Sequence, residues 1–212
     1  MTAQTEELSR ARTDFCRFLS ACYYEPSEDF REAKLFASML SAAQAIDPTL
    51  AETTKALGAA FVEVDMQTLL IDYTRLFLGP VSALAIPYGS RWLTDQTQLM
   101  QDSTLSVMEL YAQGGFDVDD EFHDLPDHIA VELEFLYALT FQTSQAGHFG
   151  DNKKQLTLDA LRQRFLSEHL GAWVGPFVEA VNAGAETTFY RLLAALTHDF
   201  IGLEMGLKTT AH

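Results

Sequence analysis

The chain has 212 residues, enough for one domain with a real hydrophobic core, and its 48% hydrophobic and 21% charged content excludes global disorder. Lysine and arginine total 14 against 30 aspartates and glutamates. The resulting formal charge of −16 repels phosphate backbones and anionic bilayers, which excludes nucleic acid and disfavours membrane surfaces as partners, while it attracts basic peptides.

Helical periodicity runs through almost the whole chain. Leu8, Phe15, Phe18, Leu19 and Cys22 follow three-four spacing and predict a first helix that closes near Glu25-Pro26. Cys16 and Cys22 fall on different faces of it and do not pair easily; two cysteines without a framework point to a reducing compartment. The aromatic stripe Phe15, Phe18, Tyr23 and Tyr24 reads as core. Phe30, Phe36, Ala37 and Leu40 predict a second helix. Asp47-Pro48 reads as a cap followed by a first-turn proline, and Leu50, Leu57, Phe61 and Val64 supply the apolar face of the helix that follows. Leu69, Leu70, Tyr73, Leu76 and Phe77 predict another helix, stopped by Gly79-Pro80.

Residues 79–93 have no period and contain Pro87 and Gly89, so they read as a long irregular loop, a feature that in a helical domain is often functional. Helix is predicted again over residues 95–113, ending at Gly114-Gly115. Residues 116–125 form a second loop rich in acid: Asp117, Asp119, Asp120, Glu121 and Asp124. Pro126-Asp127 then reads as the first turn of a long apolar helix through Ile129, Leu133, Leu136, Tyr137 and Leu139. After a break at residues 147–152, a helix spans about 153–170, Trp173, Pro176 and Phe177 mark a turn, and a last helix runs over about 188–207. No alternating run suggests a strand. The expected fold is all-α, a single domain of about eight to ten helices over residues 1–212, with a hinge near 114–126 or 147–152.

Catalytic signatures are missing. There is no Gly-rich phosphate loop, no HExxH and no GxSxG. His128 and Glu132, four apart on one helical face, with Glu134 and His123 nearby, are the nearest approach to a metal constellation, but the paired Glu-x-x-His motifs of a di-iron bundle are missing. Glu132 and Glu134 therefore read as a solvated helix face. No histidine is placed to activate Cys16 as a nucleophile. Asp127 reads either as an acid serving the helix dipole or, with His128, as a polar contact for a basic peptide. The N-terminus carries acid where a signal peptide needs base, and no apolar run is long enough for a membrane span, so the expected location is the cytoplasm.

Three segments carry a resemblance. Tyr73-Thr-Arg75-Leu76-Phe77-Leu78-Gly79-Pro80 with Ile86-Pro87-Tyr88-Gly89-Ser90-Arg91-Trp92, then the stretch from Glu121 to Leu136, then Phe165-Leu166-x-x-His169-Leu170-x-x-Trp173-x-x-x-Phe177 with Phe189-Tyr190, together resemble the TorD/DmsD/NarJ family of redox-enzyme maturation chaperones. The resemblance implies an all-helical chaperone, not an enzyme. It implies binding of the twin-arginine signal peptide, the core, or both, of the catalytic subunit of a molybdenum-cofactor reductase or dehydrogenase, with export held back until the cofactor is inserted. The peptide-binding positions it implies are Tyr73, Leu76, Phe77, Pro87, Tyr88, Ser90, Trp92, Asp124, Asp127, His128 and Glu132. The sequence departs from the family pattern with Ile86-Pro87 in place of Pro-Pro, and with Gly89 where many members carry glutamate.

No cofactor or metal is expected. The resemblance extends for some members to a weak guanine-nucleotide interaction, but no phosphate loop supports it here. Monomer and domain-swapped dimer both occur in the family. The alternatives are an assembly chaperone for a non-exported molybdoenzyme and a metal-binding bundle enzyme using His128 and Glu132. Physically, a twin-arginine signal needs carboxylates for its guanidinium groups and an apolar groove for the stretch that follows. The loop at 79–93 and the helix start at Asp127-His128 are therefore expected to face each other across one groove.

Overall fold

The computed structural model describes residues 3–79, 82–93, 102–117 and 125–206. Among the described residues every regular element is a helix. Helix α1 spans Ala3–Ala21, and one turn, α2 (Asp29–Glu32), precedes α3 (Leu35–Ile46). Lys34, between them, adopts φ 51°, and this left-handed residue splits into two pieces what the spacing predicts as one helix. Helices α4 (Pro48–Glu63) and α5 (Met66–Tyr73) follow, and α5 passes directly into a π-helical segment, Thr74–Leu78. Then come α6 (Ser90–Leu93), α7 (Asp102–Gly114), α8 (Ile129–His148), α9 (Asn152–Glu168), α10 (Leu170–Gly184) and α11 (Thr188–Glu204). The start predicted near residue 95 and most of the acidic loop lie outside the described residues. Pro176 sits inside α10; the turn predicted around it falls instead at His169, whose φ and ψ of −127° and −106° end α9.

Local chemistry explains most boundaries. The Asp47 carboxyl accepts from the N–H groups of Thr49 (2.7 Å) and Leu50 (3.2 Å), and Pro48 takes the first turn, where its missing N–H costs nothing. Asp151 caps α9 and Thr187 caps α11 in the same way. The break at 147–152 is a tight turn closed by Asp151 N donating to Ala146 O (2.9 Å), with Gly150 at φ 73°.

The helices close on themselves. α1 packs on α8, α8 on α9, α9 on α10, α10 on α11, α11 on α4, α4 on α3, and α3 on α1. Aromatic rings fill the interior. Phe15 meets Phe200 at 4.7 Å, Phe36 meets Phe61 at 4.8 Å, and Phe135 bridges Tyr111 at 4.6 Å and Phe165 at 5.0 Å. The first half of α8 is buried nearly all round, as its apolar run from Ile129 to Leu133 requires. Two buried carboxyl groups tie the ring shut. Glu204, at the end of α11, accepts from Arg12 of α1 (2.6 Å) and Arg162 of α9 (2.8 Å). Asp72, on α5, accepts from the N–H of Thr187 (2.8 Å) at the start of α11. Among the described residues no helix is long and apolar enough to cross a membrane.

The π segment ends at Gly79, which has φ 58° and whose missing Cβ would collide with the backbone of Ser82 and Ala83. Gly79→Ala is expected to lower stability by at least about 2 kcal/mol in urea unfolding, from left-handed strain plus that collision.

Candidate functional site

The segment at 82–93 is a strap laid across the amino end of α8. It is fixed at both ends by main-chain bonds. Next to the π segment, Leu84 N donates to Arg75 O (3.2 Å) and Ala85 N to Leu76 O (2.8 Å), which uses carbonyls that the end of a helix leaves without partners. At α8, Ile129 N donates to Pro87 O and Gly89 N to Asp127 O, both at 2.8 Å, and Tyr88 pairs with His128 as an isolated antiparallel bridge. The Asp127 carboxyl accepts from Ser90 N at 2.7 Å, and the Trp92 indole N–H returns to Ile86 O at 2.8 Å.

Asp127 is thus placed differently from its sequence reading. Helix α8 begins two residues later, with His128 as its cap: Nδ1 accepts from Ala130 N at 3.1 Å. An accepting Nδ1 bears no proton, so the ring's remaining donor is Nε2. The ring is stacked against Tyr24 (6.3 Å, 16°) and meets Tyr88 edge-on (5.4 Å, 68°). Tyr24, read from sequence as core stripe, is therefore part of the site. No motif spacing signals that contact, because it joins positions 24 and 128 through the packing of α1 on α8.

Glu132 overturns a second reading. It is fully buried, not part of a solvated face, and its Oε2 accepts from the Trp173 indole N–H at 3.0 Å. Burial pushes its carboxyl well above the usual range; the Trp173 bond opposes this and the nearby Asp127 charge reinforces it. Its Oε1 and the Oδ1 of Asp127 are both buried without a hydrogen-bond partner among the described residues. Glu134 is half-buried and accepts from the Tyr24 hydroxyl at 2.9 Å. Gly89 lies directly over this pair: a Cβ there would come within 2.9 Å of Trp173 Nε1 and 3.1 Å of Glu132 Oε1. The glycine that departs from the family pattern is thus required by the packing of Glu132 and Trp173.

The structure brings together most of the implied peptide-binding positions, but in a closed arrangement. The loop and the helix start are in direct contact, not separated by an open groove. Tyr73, Leu76 and Phe77 are buried; Phe77 packs on Tyr73 (5.3 Å), Tyr190 (5.4 Å) and Phe177 (6.2 Å). In this arrangement these three are core residues beneath the strap. Pro87, Ser90, Asp127, His128 and Glu132 are buried too, while Tyr88 and Trp92 are half-exposed. Asp124 lies outside the described residues. Leu78 and Leu84, exposed by 58% and 48%, are apolar neighbours of the strap that the sequence reading did not select. Among the described residues no group of three His, Cys, Asp or Glu side chains is arranged to hold a metal ion.

Comparison with known proteins places this architecture. The sequence profile of the family described as nitrate reductase delta subunit matches residues 43–179. The chaperone protein TorD of Vibrio cholerae is 28% identical over 210 residues, covering 95% of this chain and 93% of that one. The Tat proofreading chaperone DmsD of Salmonella typhimurium is 27% identical over 189 residues, covering 87% and 86%. A crystal structure of a redox enzyme maturation protein from Archaeoglobus fulgidus superposes with a TM-score of 0.55 at 23% identity over 89% of this chain and 93% of its own, which establishes the shared fold.

The buried carboxyls have measurable consequences. With its folded pKa raised, Glu132 holds a proton that the unfolded chain has released, so its contribution is fully present below the ordinary carboxyl pKa and is lost as pH rises through the raised value. Stability should fall across that window by up to about 1.4 kcal/mol per pH unit, and Glu132→Gln should flatten the slope in denaturant titrations run upward from about pH 5. Asp127→Ala should cost about 1–3 kcal/mol and speed amide hydrogen exchange at Ser90, whose N–H loses its acceptor.

Proposed function

The chain belongs to the nitrate reductase delta subunit family, and on that premise we propose that it is a maturation chaperone for the catalytic subunit of an exported molybdenum-cofactor oxidoreductase. It binds the subunit's twin-arginine signal peptide in the cytoplasm and holds back export until the cofactor is in place. The relatives named TorD and DmsD, the second as a proofreading chaperone of the twin-arginine route, support this reading.

The observation that carries it is the strap junction. Two segments about forty residues apart in sequence are joined by main-chain bonds into one surface, with Tyr88 and Trp92 half-exposed and Leu78 and Leu84 open to solvent beside them. Apolar side chains there suit the stretch that follows the arginines. The chain's charge of −16 draws in a ligand with two guanidinium groups, chiefly by speeding encounter. Asp127, with one oxygen committed to the strap, holds a second without a partner among the described residues. An assembly role for a non-exported molybdoenzyme would use the same surface without an Arg-Arg leader.

Titration calorimetry with twin-arginine leader peptides of candidate molybdenum-cofactor oxidoreductases tests the proposal. Micromolar or tighter binding is expected, weakened at least about tenfold by Tyr88→Ala and by replacing both arginines of the peptide with glutamine. Negligible binding to every candidate leader would remove the export role and favour the non-exported client.

A further inference from the structure

A second surface lies at the opposite end of α8. Where the carboxyl half of α8 runs beside the amino half of α1, a cleft of about 520 Å³ opens, within the size range of peptide and small-molecule sites. Its wall is aromatic: Tyr137 and Phe141 are stacked at 6.1 Å and 18°, and Phe149 stands at the mouth. Phe141 is 44% and Phe149 78% exposed, a cost that a stable surface turn does not need. Phe141 and Phe149 lie 12 and 20 residues beyond Ile129, or about 18–30 Å along the helix. The cleft is therefore separate from the strap.

The charged groups that line it are Glu6, Arg10 and Asp14 of α1 and His148 of α8. Asp14 has two loose, exposed contacts, with Arg10 (3.8 Å) and Arg17 (3.9 Å), the kind of pair that contributes little. Glu6 is 3.9 Å from the His148 ring. Two carboxylates, held only in loose pairs with exposed arginines and with His148, thus stand beside an aromatic slot on a chain of charge −16, and a ligand that supplies apolar bulk with flanking positive charge can exchange with those loose partners.

We propose that this cleft is a second docking site of the chaperone, which takes a short client segment with a large apolar side chain flanked by lysine or arginine, independently of the strap. The inference rests on the chaperone reading and deepens it: the client would be held at two places, one on its leader and one on its polypeptide core.

Fluorescence anisotropy tests this with a dye-labelled peptide in which lysines flank a leucine-phenylalanine-leucine run, and a counterpart carrying glutamates instead. The lysine peptide should bind, and the glutamate peptide should not. Phe141→Ser and Phe149→Ser, both at exposed positions where folding is little affected, should each weaken binding about tenfold. Phe149→Leu should restore it to within about twofold, and Tyr88→Ala should leave it unchanged. No binding of the lysine peptide, equal binding of both peptides, or indifference to the two serine variants would overturn the proposal. So would sedimentation showing a dimer that Phe149→Ser abolishes, which would assign the face to a second copy of the chain. Calorimetry with the leader peptide, run on the unaltered chain and on the two serine variants, separates the two ideas: intact leader binding beside a failed cleft sinks only the cleft, whereas no leader binding by the unaltered chain sinks the export role beneath it.

Discussion

Helix α8 starts inside the protein, and a helix start that is buried must find partners for N–H groups that have none within the helix. Most of the site follows from that constraint. His128 supplies one acceptor through its ring and another through its carbonyl, but Ile129 N needs a third, and only a chain brought in from elsewhere offers it. The strap does so through Pro87 O. Once the strap lies there, Gly89 must remain a glycine, because Trp173 and Glu132 occupy the space its side chain would need. Trp173 must also bond Glu132, since an indole N–H at zero exposure cannot be left unpaired.

This constraint changes what the motif residues mean. Tyr73, Leu76 and Phe77 are recognisable by family resemblance, yet Tyr73 packs on Tyr190, Phe77 on Tyr190 and Phe177, and Leu76 is fully buried. Their place in the motif is explained by holding the floor on which the strap rests. Asp127 shows the same double character within one side chain. One oxygen closes the strap over Ser90 N and the other is buried without a donor among the described residues. A positively charged ligand at this point would compete for a group on which the closed arrangement depends, which couples binding to the strap's own stability.

Much of the fold was legible because helices announce themselves locally. Three-four spacing in Leu50, Leu57 and Phe61, and a cap such as Asp47-Pro48, are decided by neighbours within one turn. The misreadings share one cause, which is tertiary. Glu132 sits at a position that looks polar and outward in a helical projection, and only the arrival of α10, bringing Trp173, makes it interior. Pro176 reads as a turn because proline usually ends helices, but the stop is set about two turns earlier by the backbone of His169. Lys34 in a left-handed conformation carries no sequence signal at all, since lysine is not a residue that seeks it.

The two surfaces on α8 also bear on how a chaperone lets go. A helix of 20 residues, buried for much of its length, is a rigid spacer, so whatever sits on the strap and whatever sits in the aromatic cleft are held at a fixed separation. Two sites of modest affinity joined through one client polypeptide act together by effective concentration, and the gain disappears once the client can no longer span them. On the proposed reading, folding of the client around its cofactor would shorten and bury the segment that reaches the cleft. Release would then require no change in the chaperone: the client, by becoming compact, would lose the geometry that made the two contacts simultaneous.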